Sequence, residues 1–275
     1  MFRSVPFLAA SVVLALAATA SADDDSYIFN GFQSDPLVAP GTSFKGDATD
    51  RFTYNADGTL TAHYDTAVDS VILFIPLGKH YTQETSFSLT TTITNFIAPP
   101  SDFGGQAPAF GLANSVTTGN DRASWPGGDA YDMIAFEYFP TANSGASSSV
   151  NFAAIQSGNG VGDIWDRFVS GLWDGIDYLD NNLPSGQAIT VTITYDADNK
   201  MATLSGDGFN TITADFTDAV FDVDSFAIFL WNDPWIGNGS ERIAGDVVFG
   251  VAVPEPASLG LLAAGALLMV ARRRR

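Results

Sequence analysis

Between Ala188 and Tyr195 the chain alternates without a break, with Ile189, Val191, Ile193 and Tyr195 on one side and mostly threonine on the other. A period of two sends successive side chains to opposite faces of a strand, so this segment has one buried face and one wet face. A helix would scatter the same apolar residues around its circumference. Ser86 to Phe96 repeats the pattern over much of its length and is rich in threonine. Val71 to Leu77 is more continuously apolar and reads as a strand buried on both faces. Asp132 to Phe139, Val150 to Ile155, Ser225 to Leu230 and Ile243 to Val251 are further strands. Turn chemistry separates them. Asn55-Ala56-Asp57-Gly58 joins Arg51–Tyr54 to Thr59–Tyr64, and Asp196 to Lys200 joins the alternating strand to Met201–Ser205. About twelve short strands at this spacing predict an all-β fold, an antiparallel β-sandwich of jelly-roll type.

One segment departs from the pattern. Gly162 to Asn182 places Ile164, Trp165, Phe168, Val169, Leu172, Trp173 and Ile176 at helical spacing, which predicts a short amphipathic helix weakened by Gly171 and Gly175. Ala142 to Ser149 reads as a loop rather than a domain boundary, and no internal repeat is visible.

Neither end of the chain belongs to the sandwich. Arg3 supplies a small positive region, Phe7 to Ala18 is apolar, and Ala20-Ser21-Ala22 is a small-residue cleavage box. Residues 1–22 therefore read as a signal peptide for signal peptidase, leaving a body of residues 23–252. Residues 253–275 carry Pro254-Glu255-Pro256, an uncharged apolar run from Ala257 to Ala271, and then Arg272, Arg273, Arg274 and Arg275. Prolines fix φ and keep the first part extended. The apolar run reads as a transmembrane helix, a transient anchor, although its 15 residues span only ~22 Å of a ~30 Å hydrocarbon core. The arginines act as a cytoplasmic stop under the positive-inside bias.

This three-part tail resembles the PEP-CTERM sorting signal of exported bacterial proteins. The resemblance implies an exosortase as partner, cutting near Pro254, Glu255 and Pro256. It also implies export through the inner membrane of a diderm bacterium, one that often makes exopolysaccharide. The expected destination is the cell surface or extracellular matrix.

Composition removes several classes of function. The chain has no cysteine, so it holds no disulfide, zinc finger or cysteine nucleophile, and its stability must come from a sizeable core. Its formal net charge is −19. The body keeps seven basic residues (Lys45, Lys79, Lys200, Arg51, Arg122, Arg167 and Arg242) against 30 acidic ones, about −23. Such a surface repels nucleic acid and anionic membranes.

The body resembles concanavalin A-like lectin and glucanase sandwiches. The cues are Phe29-Asn30-Gly31-Phe32, the strand Phe87–Asn95, Pro108 to Leu112, Met133 to Tyr138, and Thr192 to Asp196 with its hairpin. The resemblance implies metal binding by a glutamate and an aspartate two residues on. Here Glu137 matches the first position, but Phe139 stands at the second. Glu137 is left as a lone functional carboxylate or a solvent-facing strand residue. Retaining glycosidases need two carboxyl groups ~5–5.5 Å apart. The same-face positions around Glu137 are Met133, Ala135, Phe139 and Thr141, none of them acidic. A secreted glycan hydrolase or lyase is therefore disfavoured, and the expectation is a protein that is not an enzyme. No phosphate-binding, dinucleotide or zincin motif occurs, and His63 and His80 are the only histidines.

Two candidate ligand sites remain. Trp231-Asn232-Asp233-Pro234-Trp235 sets two indoles, an amide and a carboxylate around a turn, a mixture suited to sugar rings; alternatively the indoles cap the core. Asp196 and Asp198 are oxygen ligands that could hold calcium, and a hairpin turn explains the same letters. No other cofactor is implied. The expectation is an exported surface or matrix protein whose body associates with extracellular polysaccharide, alternatively as a lectin-like binding module.

Overall fold

In the computed structural model, residues 26–29, 31–97, 108–119, 132–140, 148–155, 176–179, 182–232 and 241–250 are described. The strands come in chain order as β1 (Ser26–Phe29), β2 (Ser43–Lys45), β3 (Phe52–Tyr54), β4 (Leu60–Asp65) and β5 (Val71–Thr82). Next are β6 (Phe87–Asn95), β7 (Ala109–Ala113), β8 (Met133–Phe139), β9 (Ser148–Ile155) and β10 (Ile176–Leu179). β11 (Ala188–Asp196), β12 (Met201–Gly206), β13 (Ile212–Asp215), β14 (Asp222–Leu230) and β15 (Ala244–Phe249) follow. A single 3-10 turn, Pro36–Val38, is started by Asp35, whose carboxylate accepts the Leu37 N–H.

The strands form two sheets. One runs β13-β12-β11-β6-β15-β4-β3, with β1 added in parallel on β6; the other runs β10-β9-β8-β7-β14-β5-β2. All other pairings are antiparallel. Ile189, Val191, Ile193 and Tyr195 of β11 face Ile134, Phe136, Phe152 and Phe226 of the opposite sheet within one shared core. The alternation read from sequence thus points as expected, and the two hairpins at 55–58 and 196–200 join the strands assigned to them. Short strands such as β2 and β13 were not expected: three or four residues carry too little pattern to stand out.

Tyrosines tie one sheet to the other. The Tyr64 hydroxyl, fully buried from β4, donates to the Ala109 carbonyl at 3.1 Å and accepts the Ala109 N–H at 2.8 Å. Burial pushes the Tyr64 phenol well above its usual range, so it remains a neutral donor. The Tyr138 hydroxyl likewise donates to Asn182 Oδ1 and accepts the Leu183 N–H.

The seven-stranded sheet has a second buried face. Ile72 and Phe74 of β5, Ala109 and Ala113 of β7, Met133 and Ala135 of β8, Ala153 of β9, and Ala227 and Phe229 of β14 form it with Trp231. Of the run Val71 to Leu77, expected to be buried on both faces, every residue is buried except Pro76, which is exposed.

The expected helix over Gly162–Asn182 needs correction where it can be seen. Ile176–Leu179 is a strand, paired antiparallel to Ser148–Asn151 at the edge of the seven-stranded sheet. The exposed hydrogen-bonding groups of β9 offer an extended partner there, which overrides a local helical spacing broken by two glycines. Residues 162–175, 180 and 181 of that segment lie outside the described residues, as do residues 1–22, read as a signal peptide, Pro254 to Pro256, the apolar run and the terminal arginines. Among the described residues no helix is long and apolar enough to cross a membrane.

Candidate functional site

The second face of the seven-stranded sheet is where a strand of alternating residues brings a carboxylate into an apolar layer. Met133, Ala135 and Glu137 share one side of β8, and Glu137 is fully buried. The solvent-facing reading of Glu137 therefore fails, because this face is covered rather than wet. In register, Glu137 lies between Ala109 of β7 and Asn151 of β9. Asn151 Nδ2 donates to Glu137 Oε2 at 2.8 Å in a fully buried contact. Its Oδ1, also buried, has no hydrogen-bond partner among the described residues. An amide oxygen left in that state costs about 1–3 kcal/mol.

Around this polar pair the buried layer is apolar. Ala109, Ala113, Ala135, Ala153 and Ala227 keep it low, and Phe74, Phe229 and Trp231 line one side. Gly111 belongs to the same face: a Cβ there would stand 2.2 Å from the Ile134 carbonyl oxygen and 2.6 Å from Ala135 Cα. Asn151 was missed in the sequence. Its signal was a polar residue inside the otherwise apolar run Val150 to Ile155. Its partner at position 137 became visible only with the β8–β9 register.

Trp231 is 2 % exposed and stacks on Phe229 with ring centroids 5.0 Å apart, so its indole belongs to this layer rather than to an open turn. Asn232 Oδ1 accepts from Ser70 Oγ, and the Asn232 N–H donates back to the same oxygen. Asp233 and Trp235 lie outside the described residues.

Of the two hairpin carboxylates, that of Asp196 is occupied by its own turn, and Asp198 is exposed. Asp196 accepts the N–H groups of Asp198 and Asn199 and the Asn199 amide at 2.6 Å, which holds its pKa below the usual carboxylate value. Among the described residues no group of three or more acidic or histidine side chains is gathered to hold a metal ion.

Both histidines sit on strands beside aspartates. His63 Nε2 lies 2.9 Å from Thr53 Oγ1, and its Nδ1 lies 2.8 Å from Asp246 Oδ1. Hydroxyl, imidazole and carboxylate thus stand in series across β3, β4 and β15. The series has the order of nucleophile, base and orienting acid, but the Asp246 side chain is 52 % exposed and Thr53 faces solvent. Water competes for every contact there, and nothing in that setting activates the hydroxyl. His80 Nδ1 meets Asp222 Oδ1 at 2.7 Å, and this bond raises the imidazole pKa.

Comparison with known proteins bears on the tail and the fold separately. Residues 252–275 match the PEP-CTERM protein-sorting motif, so the tail is a sorting signal of the kind handled by exosortase. No curated protein matches the chain. Among solved structures, peanut lectin with a 9mer peptide is 17 % identical, TM-score 0.47, covering 80 % of this chain and 94 % of that one. Basic winged bean lectin with Tn-antigen is 14 % identical, TM-score 0.49, with 80 % and 95 % covered. Lectin II from Ulex europaeus is 17 % identical, TM-score 0.45, with 81 % and 96 % covered.

Proposed function

We propose that the protein is a non-enzymatic, polysaccharide-associated component of the bacterial surface or extracellular matrix, delivered there by its tail and released by an exosortase. The tail motif supports the delivery route. One observation carries the binding role: the buried Glu137–Asn151 pair, with its free amide oxygen, set in an apolar layer beside Phe229 and Trp231. Sugars present apolar C–H faces and hydroxyl donors together. Glu137, Asn151, Phe229 and Trp231 are buried, so what they supply to such a ligand is the ordered polar and aromatic framework beneath its contact surface rather than direct contacts.

The same geometry argues against hydrolysis. The register partners of Glu137 are Ala109 and Asn151, and its same-face strand neighbours are Ala135 and Phe139, so none of these positions supplies a second carboxylate.

The test is retention of the mature body, residues 23–252, on extracellular polysaccharide from an exosortase-bearing diderm, with Asn151→Ala and Glu137→Gln alongside. At least tenfold weaker retention is expected for Asn151→Ala, with near-UV circular dichroism unchanged. Wild-type protein that washes through, or variants retained as well as wild type, would refute the binding role. Release of reducing sugar by the wild-type body would refute its non-enzymatic nature.

A further inference from the structure

The two ends of the body meet on one strand. β1 pairs with Ser88–Thr91 of β6, and β15 pairs with Ile93–Asn95 along the same side of that strand. They run toward each other: Phe29 is the partner of Thr91, and the Gly250 N–H donates to the Thr92 carbonyl at 2.7 Å. The lane beyond Gly250 is therefore already filled by Phe29. Gly250 is buried with φ at +89°, a left-handed backbone that lets the chain turn out of the lane where an L side chain would be strained. β15 is also an interior strand, held between β6 and β4.

Pro254 follows Gly250 by four residues. Four residues at full extension reach about 14 Å. Once the sheet has closed on β15, Pro254 cannot move farther than that from Gly250, and Pro256, two residues on, no farther than about 21 Å. The apolar run begins at Ala257, and the polar zone on each side of the hydrocarbon is only ~5–8 Å thick.

We infer that the folded sandwich meets the membrane-embedded processing enzyme through one surface, the hairpin tip Ala56–Asp57 beside the exit of β15, with the Glu137 face turned away. The tip is adjacent because Phe249 pairs with Leu60, and the Asn55 N–H bonds the Thr59 carbonyl next to it. The exit lies on the eight-stranded sheet. The Glu137 face lies on the far side of the other sheet, across a core about 10 Å thick. The short tether also holds a strongly acidic body against headgroups that repel it, so cutting the tail lets it leave. This placement rests on the sorting reading above.

The experiment uses the full chain in a strain with a working exosortase, with a benzophenone amino acid at Ala56 or, as control, at Val68. Both positions are exposed, and Val68 lies past the opposite end of β4. Ultraviolet adducts to the processing enzyme are expected at Ala56 in at least tenfold excess over Val68, and adducts to lipid alone would overturn the placement. An insertion of about thirty Gly/Ser residues after Gly250, a flexible coil that frees the body from the cut site, is expected to erase that excess while the tail is still removed. Equal yields at the two positions, or an excess that survives the insertion, would overturn the placement. An uncut tail in the parent chain overturns the sorting reading itself, and the placement falls with it.

Discussion

Phe29 stacks on Phe226 with ring centroids 4.3 Å apart and planes 15° from parallel. The pair joins β1, the first strand of the body, to the centre of the opposite sheet, where Phe226 also approaches Phe110 and Phe249. Removing the Phe226 ring would leave a cavity among three aromatic side chains, Phe29, Phe110 and Phe249. Phe226→Ala is expected to cost about 3–5 kcal/mol, read as a fall in the denaturant midpoint at unchanged m-value.

Tyr64 gives a second test that separates hydrogen bonding from packing. Tyr64→Phe keeps the ring but strands both the N–H and the carbonyl of Ala109 in the core. The expected loss is about 2–4 kcal/mol. Because Ala109 is the register partner of Glu137, ligand retention should weaken as well, even well below the melting temperature.

Gly111 tests how closely β7 and β8 approach. The added methyl group of Gly111→Ala would collide with backbone of β8, which cannot rotate away. Destabilisation of about 1–3 kcal/mol or more is expected, measured by thermal unfolding, although alanine normally favours order over glycine.

Stability should fall on both the acid and the alkaline side, for opposite reasons. Hydrogen bonds from Arg242 hold the Asp65 carboxyl below its ordinary value, and those from Thr59 do the same for Asp57. A depressed folded pKa stabilises above the unfolded value, near 3.9, and that contribution is lost as pH falls through the folded pKa. His80 is raised by its bond to Asp222, so its contribution is complete below about 6.5 and is lost as pH rises through the folded pKa. The His80 pair is exposed, so its share stays below about 1 kcal/mol. Asp222→Asn should flatten the alkaline limb in chemical denaturation curves taken from pH 5 to 9.

Much of the sandwich was legible because strands announce themselves locally. Ala188–Tyr195 needed only its own letters, and Asn55 to Gly58 needed only its turn chemistry. The apolar run at 71–77 signalled burial on both faces, which holds at every position but Pro76. Where the local signal was ambiguous it misled: Ile176–Leu179 lost its helical reading to pairing with β9. The site was less legible. Glu137 stood out as one of few glutamates, but nothing near it in sequence shows that its face is buried, and Asn151 drew no notice.

The sequence by itself determined the periodic elements, the turns, the cysteine-free acidic body and the sorting motif of the tail. These depend on residues a few positions apart, whose side-chain directions follow from backbone geometry alone. Tertiary structure decided that β1 and β15 meet on β6, that the seven-stranded sheet is buried on both sides, and that Glu137 lies against Asn151 with Phe229 and Trp231 in the same layer. Those relationships are set by strand order and register, which bring together residues as far apart as Ala109 and Trp231, and a one-residue slip in register would turn each of them to the other face.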